Sequence, residues 1–305
     1  MPKVSVILPV YNVGPYLDEA LLSLRNQSLT DLEIIAVNDG STDNSEEILK
    51  KHQSLDCRIR YYNQKNLGQS AARNLAMLHA NGEYIYFMDS DDVIDTKALQ
   101  VCYDYCEKTQ ADFIFFDGET MQEKGTNPIP WNYHRTYLVE ENKKLKGQEL
   151  LDKMLDKEKH NCVVWLLFIR HNYLEHIHLK FYPGIIHEDE LYTALLTLQS
   201  DNIFALRRNF VNHRVRKAST MGISYSKRNI NSYLTVIDEL QKFQHSPLTE
   251  KFARYTLSRV FYTGHQIPMN EKFSVFWRAV KSGYLKYIGI KSTIVFWLKR
   301  KKHNE

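Results

Sequence analysis

The stretch YIYFMDSDD, Tyr84 to Asp92, decides how this chain is read: an unbroken apolar and aromatic run ends in three carboxylates within four positions. A run without polar alternation fits a strand buried on both faces. Carboxylates crowded at its end repel one another unless positive charge lies among them. A helix N-cap accounts for Asp92 or Asp95, but not for Asp89 and Asp91. Two acids beyond a strand end suit a hard divalent cation with oxygen ligands, Mg²⁺ or Mn²⁺. Because Mg²⁺ commonly takes one or two carboxylates plus substrate phosphates, the spacing points to a metal-bridged nucleoside diphosphate.

Outward from this stretch, VSVILPV, EIIAVND, IRYYNQ and DFIFFD repeat the strand pattern, with helices expected near 15–26, 44–54, 68–80 and 96–110. Continuous apolar strands alternating with helices predict a doubly wound α/β domain whose parallel sheet is covered on both faces. Ligands bind such sheets at the carboxyl ends of strands. The polar clusters PVYN, VNDGSTDNS and DSDD stand at those ends and should converge on one crevice. The stretch 121–146 is polar, holds Pro128 and Pro130, and reads as an insertion or linker. Helical periodicity resumes at GQELLDKML and continues through CVVWLLFIRHNYL and HEDELYTALLTLQ. Beyond about residue 225 the chain reads as helices, with Phe276, Trp277, Val280, Tyr284, Tyr287 and Ile288 forming one apolar stripe. The expected division is 1–119, 120–224 and 225–305.

Composition narrows the function. With 43% hydrophobic and 25% charged residues the chain is an ordinary globular protein. Its first residues, MPKVSVILPVYN, lack the features of a secretory signal. The runs CVVWLLFI and TIVFWL fall far short of the roughly 18 residues that span a bilayer, so a cytoplasmic location is expected. Four cysteines without paired spacing agree with a reducing compartment, and Cys102 and Cys106 read as core packing rather than a metal site. Twelve glycines, nowhere spaced as G-x-G-x-x-G or as a P-loop, exclude those phosphate cradles. Residues 273–305 carry eight Lys/Arg against one acid, a net of +7 within a chain total of +4. The basic character therefore belongs to the tail, which predicts peripheral contact with the anionic inner face of a membrane. No nucleic-acid partner is expected.

Three further clusters carry chemistry. VNDGSTDNS leads into a helix capped by Asp43 or Asn44, with Glu46 or Glu47 for the capping box. Capping leaves Asp39 unexplained, and a carboxylate there suits a nucleobase imide N–H. In NLGQSAARN, Gly68 opens a helix that carries Arg73 in its second turn, where it could meet phosphate. Glu188, Asp189 and Glu190 begin another helix, where acids complement the macrodipole, and one of them could instead serve as a general base.

Together these motifs resemble glycosyltransferase family 2, inverting enzymes of the GT-A fold, and most closely the members that build bacterial surface polysaccharides. VSVILPVYN, VNDGSTDNS, NLGQSAARN and YIYFMDSDD carry the likeness over residues 3–95, and VVWLLFIRHNYL with FYPGIIHEDELYT extends it over 160–220. The resemblance implies a Rossmann-like, mostly parallel sheet with a helical C-terminal region. It implies that Pro9, Val10 and Tyr11 line the nucleobase pocket, that Asp39 meets uracil, and that Arg73 lies against the nucleotide. Asn66, Gly68 and Ser90, within the matching motifs, join these nucleotide-side residues. Asp89 and Asp91 match the family's paired acids, with Asp91 the more direct metal ligand, and Asp189 matches its base. HRVRKAST, residues 213–220, matches a segment that closes over the diphosphate, where Arg214 or Arg216 would neutralise charge and His213 would join the metal. The implied partners are a nucleotide-sugar donor, expected in its UDP form, and a glycan or lipid-linked glycan acceptor. Leu167 departs from the pattern, which commonly has Lys there, and leaves an acceptor-side contact open. A sugar-phosphate nucleotidylyltransferase would want a Gly-rich basic loop after the first strand, and a receiver domain an acidic pair; PVYNVGPY supplies neither. A nucleotide-sugar-binding protein without catalysis is the remaining alternative.

Overall fold

The computed structural model describes residues 1–305 apart from 124, 127, 128, 130, 131, 161, 217–224 and 300–305. Pro128, Pro130, the last four residues of HRVRKAST and the end of WLKRKK thus lie outside the described residues. In chain order the strands are β1 (Val4–Val10), β2 (Leu32–Asn38), β3 (Ile59–Asn63), β4 (Tyr84–Phe87), β5 (Val93–Ile94), β6 (Phe113–Gln122), β7 (Leu167–Arg170) and β8 (Ile203–Val215). The helices are α1 (Gly14–Arg25), α2 (Ser45–Leu55), α3 (Gln69–Met77), α4 (Ala98–Thr109), α5 (Gly147–Asp156), α6 (His171–His176), α7 (Glu188–Leu198), α8 (Lys227–Phe243), α9 (Pro247–Thr263), α10 (Met269–Lys281) and α11 (Ile290–Leu298).

The strands form one sheet in the order β3-β2-β1-β4-β7-β6-β8-β5. β3, β2, β1 and β4 are parallel, as expected; β7 runs antiparallel to both β4 and β6, and β6 and β8 are again parallel. Both faces are covered. Along β1, Val4, Val6, Leu8 and Val10 enter one apolar cluster, while Ile7 enters the other. β2 divides Ile34 and Ala36 from Ile35 and Val37 in the same way, which is the period-two alternation of a strand buried on both sides. The thiols of Cys102 and Cys106 are free and buried in the first cluster, as core packing requires. A third cluster joins α5 and α7 to α8–α11 through Leu151, Leu155, Leu191 and Ala194. Among the described residues no helix is long and apolar enough to cross a membrane.

Two expectations from the sequence are corrected. CVVWLLFIRHNYL is not one helical run: Val164–Leu166 make a 3₁₀ turn, Leu167–Arg170 are β7, and only then does α6 begin. A continuous apolar run has no period to separate a buried strand from a buried helix. Leu167 pairs with Phe115 within the sheet and is buried. The stretch 121–146 is not a simple linker either. β6 extends through Gln122, and Arg135 and Thr136 are buried because their backbone N–H groups donate to Asp117 Oδ1 at 2.8 and 3.1 Å. Asp117 thus gives a polar segment a fixed place, which composition cannot reveal.

The predicted tail stripe also divides. α10 ends at Lys281, Gly283 takes φ +70, and Tyr284, Tyr287 and Ile288 turn inward. Such a left-handed residue stops a helix and redirects the chain.

Candidate active site

The three acids of DSDD each meet a different basic side chain, brought in by α3 or by the end of β8. Asp89 Oδ1 accepts from Arg73 Nη2 at 3.1 Å and from Gln69 Nε2 at 3.2 Å. Asp91 Oδ2 accepts from Arg216 Nε at 2.6 Å, and its backbone carbonyl accepts from Arg214 Nε at 2.9 Å. Asp92 is fully buried; Oδ2 lies 2.9 Å from His213 Nδ1, and Oδ1 accepts the Arg214 N–H at 2.8 Å. Ser90, between them, is buried. The mutual repulsion expected from the sequence is thus answered by protein cations.

Burial drives the Asp92 carboxyl up to about 7 despite the His213 bond that favours its charged form. For His213, burial disfavours the charge most strongly, but the Asp92 hydrogen bond and the charges of Asp92, Asp89 and Asp91 together outweigh it and raise the imidazole above its ordinary value. Trp165 stacks on His213 at a centroid distance of 5.0 Å and 11°, and Tyr133 meets it edge-on at 5.4 Å. The ring is therefore held by a stacked indole, an edge contact and a hydrogen bond at Nδ1 before any ligand arrives. One ligand atom each from Asp89, Asp92 and His213 lies within 4.8 Å of the others. Two carboxylates and an imidazole fit a divalent cation of the Mn²⁺ type at least as well as Mg²⁺, which prefers oxygen alone.

Arg73 is the hub of the opposite wall. It is 1% exposed, lies 5.0 Å from the Phe181 ring, and its Nη1 donates to Asp189 Oδ1 at 2.6 Å and Glu188 Oε1 at 3.1 Å. Burial opposes its charge, yet Asp189, Asp89 and Glu188 together raise its pKa and hold it protonated. Asp189 is pushed up to about 7, first by burial and then by Glu188 and Asp89, against the pull of Arg73. Glu190 points elsewhere, with Oε2 3.2 Å from His160 Nε2. His187, at φ +66, immediately precedes α7 and sets how this acidic turn begins.

At the ends of β1 and β2, Asp39 is buried and holds the loop that leads into α3. Its Oδ1 accepts from Gln64 Nε2 at 2.6 Å and from the Leu67 N–H at 2.8 Å, and Oδ2 from the Gly68 N–H at 2.9 Å. A carboxylate offers about four lone-pair positions, so about one is left for an N–H of a bound base. Pro9 and Val10 close β1 with Val10 buried, and Tyr11 beyond them is 46% exposed. Gly40, at φ +72, leaves no room for a side chain, because a Cβ there would lie 2.9 Å from the Asn66 backbone nitrogen. Asn66 is exposed, and Gly68, at φ +90, precedes the first residue of α3.

The sequence-predicted residues therefore gather in two linked groups: Arg73, Asp89 and Asp189 in one, and Asp91, His213, Arg214 and Arg216 in the other. Asp39, Pro9, Val10, Tyr11, Asn66 and Gly68 lie at the neighbouring strand ends and loop. Sequence reasoning gave Asp92 only a capping role and treated Glu188 as a helix-start acid. The fourth acid-rich position of DSDD was the available signal for Asp92. Nothing local in the sequence marks Tyr133 as a partner of His213.

The fold is the GT-A fold. It is similar to Staphylococcus aureus TarS 1–349 in complex with UDP-GlcNAc, with a TM-score of 0.74 and 19% identity over 96% of this chain and 83% of that one. It is also similar to the mannosyltransferase PcManGT from Pyrobaculum calidifontis in complex with GDP-Man and Mn²⁺, with a TM-score of 0.60 and 14% identity over 94% and 77%. In sequence, the chain is 29% identical over 282 residues to EpsJ of Bacillus subtilis strain 168, an uncharacterized glycosyltransferase, covering 88% of this chain and 77% of that protein. Residues 5–177 match the profile of glycosyl transferase family 2, and the chain belongs to that family.

Proposed function

We propose that this chain is an inverting glycosyltransferase that moves a sugar from a nucleotide diphosphate, UDP in the first instance, to a hydroxyl of a glycan or lipid-linked glycan during assembly of a bacterial surface polysaccharide. The observation that carries the reading is the Arg73 fork. One buried guanidinium ties Asp189, the base, to Asp89, the acid on the diphosphate side, and so fixes the two ends of the reaction relative to each other. The UDP-GlcNAc complex of TarS supports a UDP-sugar donor, and the Mn²⁺ complex of PcManGT supports a divalent cation.

In the proposed reaction Asp189 accepts the proton of the acceptor hydroxyl as its oxygen bonds to the anomeric carbon. The bond from that carbon to the diphosphate oxygen breaks, and the diphosphate leaves with the electron pair. Attack from the face opposite the leaving group inverts the anomeric centre. Asp89, Asp92 and His213 would hold the divalent cation, which supplies Lewis-acid stabilisation to the departing phosphate oxygens. Arg214 and Arg216 stand beside Asp91 and can add hydrogen bonds to the same developing charge. Asp39 offers its remaining lone pair to the nucleobase.

The test is a donor screen by binding, then turnover with glycan and lipid-linked acceptors, with the product anomer assigned by NMR. A single inverted product supports the proposal; a retained anomer overturns it, as does binding of nucleotide-sugars without transfer to any acceptor class. Two further outcomes are expected. In chelator, turnover should fall to background and return with Mn²⁺, and Asp89→Asn and Asp92→Asn should each weaken divalent-dependent UDP binding; full activity in chelator refutes the metal. Because Asp189 acts as a carboxylate and burial lifts it to about 7, turnover should rise with pH through the neutral range, and an acid-side profile flat down to about pH 5 contradicts its assignment.

A further inference from the structure

We infer that the outer face of α10 and α11 is a docking surface for anionic lipid. On α10, Phe273 is 65% exposed and Trp277 59%; on α11, Ile294 is 53% exposed and Leu298 76%. Scattered apolar residues on a surface need no explanation, but these form one patch. Trp297, next to Leu298, brings its ring within 5.0 Å of the Phe273 ring and bridges the two helices. The opposite faces are firmly seated: Val275, Ala279 and Phe296 are fully buried, and Lys272 Nζ donates to the Phe296 carbonyl. The exposed face is therefore a rigid surface rather than a frayed end.

Charge selects the occupant. Lys281 on α10 and Lys291 on α11 are exposed, as is Lys299 just past α11, and no Asp or Glu occurs between Phe273 and Lys299. Apolar and Trp side chains at headgroup depth, with lysines reaching to phosphate, match an anionic bilayer surface. Each basic residue near such a surface adds attraction that salt screens. A protein partner of ordinary composition would leave these cations unmatched. The surface is distinct from the crevice and does not rest on the proposed transfer reaction.

The full chain should sediment with vesicles of phosphatidylglycerol and phosphatidylcholine in equal parts and not with phosphatidylcholine alone. Binding should shift Trp emission to the blue, and Trp277→Phe should reduce that shift. Trp277→Ser with Leu298→Ser should weaken vesicle affinity by about tenfold or more, the scale of losing one to two buried apolar side chains. Lys281→Glu with Lys291→Glu should weaken it and flatten its salt dependence, while donor binding is unchanged in both variants. Equal binding to neutral vesicles, binding untouched by either double substitution, or a patch consumed by self-association in the absence of lipid would overturn the inference.

Discussion

Asp189→Asn should lower turnover by about 10²–10⁴-fold, the usual scale for losing general-base catalysis, while donor affinity stays near wild type. Asn retains an oxygen for the Arg73 Nη1 hydrogen bond of 2.6 Å, so the shape of the wall persists and only basicity is lost. The structure sharpens the comparison with its neighbours. Glu188 shares the same guanidinium nitrogen at 3.1 Å and is the one other acid of this turn facing Arg73, whereas Glu190 is committed to His160. Glu190→Gln should therefore leave chemistry largely intact. If Asp189→Asn keeps full activity and Glu188→Gln loses it, the base is Glu188.

Arg73→Met should destabilise the fold by about 3–5 kcal/mol, the cost of breaking a buried charge cluster by removing one partner. Met approximates the volume of the stem but leaves Asp89, Glu188 and Asp189 facing one another without their shared cation. The sign of its pH dependence follows. Acidification protonates the crowded carboxylates and relieves their repulsion, so the deficit relative to wild type should shrink as pH falls. Arg73→Lys should recover only part of the loss, because one ammonium cannot reproduce a planar fork across three acids. Denaturant unfolding of the three proteins at neutral and mildly acid pH measures this. A Met variant within about 1 kcal/mol of wild type at neutral pH would show the cluster to be a surface-grade ion pair.

The sheet was legible where strands are apolar throughout and helices are bounded by turn residues. β1, β2 and β4 fall where VSVILPV, EIIAVND and YIYFMD predicted them, and α1–α4 begin and end within a few residues of expectation. The return strands were not. β7 is part of an apolar run with no period to tell strand from helix, and β8 sets exposed Arg207, Arg208, Asn209 and Asn212 among buried Phe210 and Val211, a pattern without regular alternation. The site was legible as a set of residue types at strand ends, and less so as a set of partners. Asp189 and Arg73 are 116 positions apart, and no local pattern announces that they touch. Asp92 shows the opposite error: a local role as a cap was sufficient, so its long-range bond to His213 went unread.

The same crevice has a consequence for the order in which ligands arrive. Asp89, Asp91, Asp92, Glu188 and Asp189 face three guanidiniums, those of Arg73, Arg214 and Arg216, and Arg214 also meets Glu19; above the value of about 7 reached by Asp92 and Asp189, and with His213 neutral, six acids against three guanidiniums leave the wall three surplus negative charges. A bare nucleotide diphosphate approaches that wall uphill, and a divalent ion approaches it downhill. Entry should therefore be sequential, cation ahead of nucleotide or the two as one complex, with nucleotide alone a poor occupant. On the proposed reaction, departure should run in reverse: once the sugar is gone, the released diphosphate should keep its hold only as long as the cation stays.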